Sequence, residues 1–257
     1  MKCRYLFLLI TLVGWNAALF ACEGTVPPID YAGTWPRQIY RLTVIAPEGH
    51  KGGEAMVATI RAFLKGDGKD CNLELQRVNA GSADGDAVAV LTDPSGKSLT
   101  SFTGKVTADD LKKLTTSPAR DKIAKGLLDY PLMLLLIEGS DDEANAEALK
   151  TAKHAVKMAT ELFPREQLPA APPIIRVRAA DAAESGFMSV LGVPTNLKTP
   201  RMTMLIGNGM VVETPSTKIT EERVLDRVQR LVAALEVVFP FMFQHDILMP
   251  IPDALLP

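Results

Sequence analysis

Cysteine and histidine are both scarce in this 257-residue chain, with three of each, and aromatic residues make up only 6%. So few cysteines exclude a disulfide-scaffolded domain and any multi-cysteine zinc or iron–sulfur module. With three histidines, a metal site would have to rest on carboxylates, so neither a metal nor a cofactor is expected. Charge of one sign is also missing: 28 Lys and Arg stand against 30 Asp and Glu. That balance argues against a nucleic-acid partner, which usually meets a basic excess or stripe. Beyond the N-terminus no apolar run is long enough to span a bilayer. The strongest, Pro131 to Ile137, reads as a buried strand.

What is present begins with an export-type N-terminus. Lys2 and Arg4 form a basic start, Tyr5 to Val13 an apolar core, and Ala17-Ala18-Leu19-Phe20-Ala21-Cys22 a small-residue cleavage region. Residues 1–21 are therefore expected to be a signal peptide. Leu19-Phe20-Ala21-Cys22 also resembles the lipobox of bacterial lipoproteins, which would make Cys22 the lipidated N-terminus, although Phe20 stands where a small residue is usual. The resemblance implies a lipid anchor and a location on the periplasmic face of a bacterial membrane. The alternative is an incidental cysteine beside an ordinary cleavage site.

From Gln38 the pattern becomes regular. Ile39 to Ile45 reads as a strand, and Met56, Ile60 and Leu64 mark one face of a helix over Gly53 to Lys65. Strands follow at Asn72 to Val78, Ala87 to Leu91 and Ser98 to Phe102. Thr107 with Asp110, and Ser117 with Pro118, mark two helix starts. A second series opens with the strand Leu132 to Ile137. Ser140 and Glu143 suit a capping box for a helix whose inner stripe is Ala148, Ala152, Ala155, Ala159 and Leu162. Ile174 to Val177 is a strand, Ala183 to Leu191 a short helix, and Arg201 to Ile206 with Met210 to Glu213 a hairpin across Gly207-Asn208-Gly209. Thr220 opens a last helix with Val224, Val228, Leu231 and Leu235 facing inward. The chain thus divides into half 1, residues 36–129, half 2, residues 130–239, and an apolar Pro-rich tail, residues 240–257.

The order β-α-β-α-β-β-α resembles the thioredoxin fold, and local features match. Thr199-Pro200 precedes a strand where that family places its cis-proline. Ala46-Pro47 resembles the dipeptide leading into the redox motif, and Asp93-Pro94-Ser95-Gly96-Lys97 its late hairpin. More narrowly, Thr107 to Ala124, Leu132 to Ser140, Val177 to Val193 and Gly207 to Met210 resemble a group of exported bacterial proteins with paired thioredoxin-like halves. In that group arginines are favoured where this chain has Asn208 and Met210, and a Cys-x-Cys lies nearer the C-terminus, roughly where Phe241-Met242-Phe243 stands. The resemblance implies an α/β fold with two central mixed sheets flanked by helices, and a compartment, but no reaction.

Thiol–disulfide exchange needs a thiolate and usually a resolving cysteine separated from it by two residues. At that position this chain has Gly49-His50-Lys51-Gly52, and the second half has Gly139-Ser140-Asp141-Asp142. Cys71 opens a strand away from this loop and reads as a small buried hydrophobe. His50 is either a solvated turn residue or a ligand contact; His154 reads as surface; and His245-Asp246 does not read as a dyad, because sequence neighbours rarely pair. Nucleophile-elbow, His-Glu-x-x-His, phosphate-loop and dinucleotide signatures are all missing. The acidic loop Gly81 to Asp86 offers too few oxygens for calcium. The expectation is a non-catalytic, redox-inactive binding or assembly module contacting an envelope or membrane protein. The alternative is an extracytoplasmic enzyme using a loop histidine and carboxylates.

Overall fold

The computed structural model describes residues 38–81, 85–130, 132–163, 168, 170–207, 209–213, 215–236 and 245–246. Two sheets are built in the same way. In the first, strand β1 (Tyr40–Ala46) runs parallel to β2 (Leu73–Asn79) through the helix α1 (Lys51–Lys65). It runs antiparallel to β3 (Val88–Thr92), which continues into β4 (Ser98–Thr103), giving the order β2-β1-β3-β4. Two helices follow, α2 (Ala108–Thr115) and α3 (Pro118–Asp129). In the second sheet β5 (Leu132–Glu138) is parallel to β6 (Ile174–Arg178) through α4 (Asp142–Leu162), and antiparallel to β7 (Arg201–Ile206). The strands β8 (Met210–Val211) and β9 (His245–Asp246) complete the order β6-β5-β7-β8-β9. A 3-10 turn (Ala182–Glu184), α5 (Ser185–Val190) and α6 (Glu221–Glu236) fill the remaining positions. A central strand with a parallel βαβ neighbour on one side and an antiparallel hairpin on the other is the thioredoxin arrangement. The chain carries it twice.

The central strands show how differently the two sheets are covered. In β1, Tyr40, Leu42, Val44 and Ala46 are buried, while Arg41 and Ile45 are exposed and Thr43 is partly so. One face therefore packs under α1 and α2, where Met56, Ile60, Phe63, Leu111 and Leu114 join the core. Every residue of β5 is buried. Its even-numbered leucines meet Ala148, Ala152, Ala155 and Ala159 of α4 and Val224 and Val228 of α6. Its odd-numbered residues meet Ala119, Ile123 and Leu127 of α3 and Phe187 and Met188 of α5. The second sheet is the middle of three layers, whereas among the described residues helices pack on only one face of the first. By packing, α3 goes with the second sheet, although it precedes residue 130.

Several sequence expectations need correction. Helix α4 is capped by Asp141, whose carboxylate accepts from the Ala144 amide at 3.0 Å, and not by a Ser140–Glu143 box. Asp141 lies one residue closer to the first free amides, and a carboxylate there also meets the positive helix end. Leu162 does not continue the inner stripe: it is 57% exposed at the last turn, where α4 leaves the sheet. No peptide bond among the described residues is cis, so Pro200 is a buried trans proline leading into β7, the isomer that an X–Pro bond adopts by default. The hairpin strand β8 ends at Val211, two residues earlier than expected, and Asn208 lies outside the described residues.

The halves are joined by close contacts of α5 with α2. An added Cβ at Gly186 would lie 2.1 Å from the Lys113 carbonyl oxygen, so glycine sets that distance. Beside it, Arg120 is only 1% exposed, and its guanidinium lies 4.7 Å from the Phe187 ring centroid. Burial pushes this guanidinium down to about 9, against the opposing influence of Tyr40, Glu184 and Cys71, so it still carries its proton at neutral pH. Its three nitrogens make no hydrogen bond among the described residues. Glu184, 3% exposed, accepts from the Ala119 amide at 2.7 Å and so also serves the first turn of α3.

Removing either charge alone leaves the other buried without its counterpart, so Arg120→Met and Glu184→Gln should each cost about 3 kcal/mol. The double variant should cost clearly less than the sum, which urea denaturation of the four proteins reads directly. A second expectation concerns the start of α2. The Thr107 hydroxyl and amide donate to the Asp110 carboxylate at 2.6 and 2.9 Å, while Thr107 Oγ1 accepts from the Asp110 amide at 3.1 Å. These bonds hold the Asp110 carboxyl below its usual 3.8. Its folded value is the depressed one, so the stabilisation is full above 3.8 and disappears as pH falls through the folded value. Thr107→Ala should cost about 1 kcal/mol at pH 7, and the gap to wild type should shrink in acid melts.

Candidate functional site

In this fold the C-terminal ends of the parallel strands carry the chemistry. At the end of β1 the chain turns through Ala46-Pro47-Glu48 to Gly49, whose φ of +72° is the left-handed conformation that glycine adopts without cost. His50 is the N-cap of α1: its Nδ1 accepts from the Gly53 amide at 3.1 Å, which leaves the ring proton on Nε2. Gly53 is required by packing, because an added Cβ would lie 2.5 Å from the Ala46 Cβ; at Gly52 it would sit 3.0 Å from His50 Cε1, a tight contact with the imidazole. Lys51 points to solvent. The loop Gly49-His50-Lys51-Gly52 thus joins β1 to α1, and Nδ1 of its partly exposed histidine is engaged in capping that helix.

The loop after β5 is also fully engaged. Asn145, 5% exposed, accepts from the Gly139 amide and donates to the Gly139 carbonyl, both at 2.9 Å. The Ser140 amide donates to the Leu197 carbonyl at 2.9 Å. An added Cβ at Gly139 would fall 2.1 Å from the Lys198 carbonyl oxygen, so this turn too is set by a close backbone approach. Cys71 is buried, and burial pushes its thiol up to about 11, more than its bond to Thr115 and the charge of Arg120 can offset. A thiol held in its protonated form is a poor nucleophile. Cys22 lies outside the described residues. His154 is exposed and pairs with Glu221 at 2.6 Å, tying α4 to α6. Only the backbone pairing of His245 with Val211 is described. Among the described residues no three His, Cys, Asp or Glu side chains converge as a metal site requires.

A cleft of about 560 Å³ opens over the ends of β5 and β6, and sequence reasoning missed it. At its edge Glu138, 5% exposed, receives Arg176 through Nη2 at 2.6 Å and Nε at 2.7 Å. Arg178 stands 3.8 Å from the second Glu138 oxygen and 3.2 Å from Asp142. Lys122, Asp181 and Glu184 complete the polar lining. Buried Glu138 fixes Arg176 from below, while Arg178 and Lys122 remain at the surface. The arrangement is a preformed set of opposite charges, suited to gripping polar groups. Its signal in the sequence was faint: one glutamate ending an apolar strand, and two arginines with strand spacing.

Neither a family model nor a curated protein matches the chain. Among solved structures it is similar to the first two thioredoxin domains of Saccharomyces cerevisiae Eps1p, at 11% identity. That alignment covers 80% of this chain and 96% of that one, with a TM-score of 0.28. The corresponding domains of Naumovozyma dairenensis Eps1p align at 12% identity over 75% of this chain and 91% of that one, again with a TM-score of 0.28. Human ERp44 form I aligns at 11% identity over 95% of this chain and 69% of that one, with a TM-score of 0.26. The thioredoxin-like fold itself is carried by the strand order and crossovers of both sheets.

The capping role of His50 has a direct consequence. His50→Ala should lower stability by about 1 kcal/mol, and His50→Asn should recover most of that loss, because asparagine caps equally well. Thermal melts of the two variants make the comparison. Equal losses would show that the imidazole does something other than cap.

Proposed function

We propose that this chain is a redox-inactive, thioredoxin-like binding module of the bacterial cell envelope. In this reading it is held on the periplasmic face of a membrane by a lipid on Cys22 and contacts an envelope or membrane protein. The observation that carries the reading is the cap at His50. The position where the fold would hold an attacking sulfur is spent on starting a helix, and the one described cysteine is buried with its thiol pushed up. The export-type N-terminus supports the location. The cleft at Glu138, Arg176 and Arg178 supports binding, since it presents fixed charges of both signs over the strand ends.

A combined experiment tests the reading. The purified protein should fail to reduce insulin disulfides, and Cys71 should resist iodoacetamide at pH 8 until urea is added. Metabolic labelling with palmitate should mark the wild type but not Cys22→Ala, which should leave the membrane fraction. Crosslinking in the membrane fraction should recover a stoichiometric protein partner, and Arg178→Glu should weaken that recovery at least about tenfold. Turnover of disulfides would sink the redox-inactive claim. A soluble, unlabelled wild type would sink the anchor, and recovery unaffected by Arg178→Glu would remove the cleft from the interface.

A further inference from the structure

The cleft over the ends of β5 and β6 carries charges of both signs that its own residues leave unmatched. Arg176 directs Nε and Nη2 at Glu138 Oε1. Glu138 Oε2, on a side chain only 6% exposed, therefore receives no hydrogen bond among the described residues and stands 3.8 Å from Arg178 Nε. Just after β6 the Asp181 amide donates to the Arg178 carbonyl at 3.1 Å, closing a turn. Asp181 Oδ1 accepts from the Ala183 amide at 2.9 Å, which leaves Oδ2 open. Lys122 of α3 lines the same cleft as Asp181, yet neither enters an ion pair among the described residues. Their opposite charges face one space without meeting across it.

We propose that this cleft is a site for a small zwitterion, a free amino acid or a short peptide with both ends unblocked. The charges select that chemistry by exclusion as well as by attraction. A lone anion drawn to Lys122 and Arg178 would also meet Glu138 and Asp181. A lone cation drawn to those carboxylates would meet Lys122, Arg176 and Arg178. A ligand with an ammonium at one end and a carboxylate at the other satisfies both sets at once. The ammonium goes to Asp181 Oδ2 and Glu138 Oε2, and the carboxylate to Lys122 Nζ and the Arg178 guanidinium. Arg176 holds Glu138, and the Ala183 amide holds Asp181, so both carboxylates are positioned before a ligand arrives and less ordering is left to binding. The volume of about 560 Å³ lies within the range of small-ligand sites, and open α/β sheets place such sites at the carboxyl ends of their strands. The proposal goes beyond contact with an envelope protein. That contact is read by partner recovery and this site by titration, so either can fail alone.

Isothermal titration calorimetry of the full chain at low ionic strength tests the proposal. Alanine and trialanine serve as the zwitterions, N-acetyl-trialanine and trialanine amide as the analogues with a single charge. At least one zwitterion should bind with a dissociation constant below about 1 mM, and the tighter of the two tells amino acid from peptide. Both single-charge analogues should bind at least about tenfold more weakly. Lys122→Gln and Asp181→Asn change exposed positions, and asparagine caps as aspartate does, so melting temperatures should stay near wild type. Each variant should weaken zwitterion binding at least about tenfold. No binding of either zwitterion up to about 10 mM overturns the proposal. Equal binding of the single-charge analogues, or unchanged affinity in both variants, overturns it as well.

Discussion

The burial of one cation governs how the two halves can sit together. Arg120 is removed from water against Phe187, and a guanidinium in such a place is tolerated only with negative charge at hand. Glu184 supplies that charge and at the same time receives the first turn of α3. The 3-10 turn and α5 are therefore pinned to the start of α3, and Gly186 fixes how near α5 comes to α2. Everything that reaches the cleft from this side, including Pro118, Lys122 and Asp181, takes its place from the same arrangement.

Much of the fold was legible because hydrophobic pattern tracks burial. The alternation Tyr40, Leu42, Val44, Ala46 announces a sheet covered on one face, while the unbroken run Leu132 to Ile137 announces one covered on both. The helix starts at Thr107 and Ser117 were also legible, because the side chain that caps and the amide it caps are close in sequence. What could not be read were choices between adjacent cappers, as at Ser140 and Asp141, and the point where a helix leaves the sheet, as at Leu162. Those depend on the direction of the chain in three dimensions.

The role of the loop after the first strand was not legible. Two glycines around a histidine marked a turn there, yet only the Nδ1 to Gly53 contact shows that the imidazole caps the helix that follows. The Pro200 expectation came from its place before a strand, and the same place suits a trans proline equally well. The cleft stayed hidden because Glu138, Arg176 and Arg178 are separated by a 21-residue helix and meet only through the parallel register of β5 and β6.

Helix α3 is encoded next to the first sheet and packs on the second. Any attempt to cut the chain into two separately folding pieces must respect that. A break after Asp129 would take Ala119, Ile123 and Leu127 away from Met133 and Leu135, stripping one wall from the more deeply buried sheet. A break before Ser117 would keep that wall but carry Arg120 away from Tyr40 and Cys71. Neither cut leaves both pieces whole.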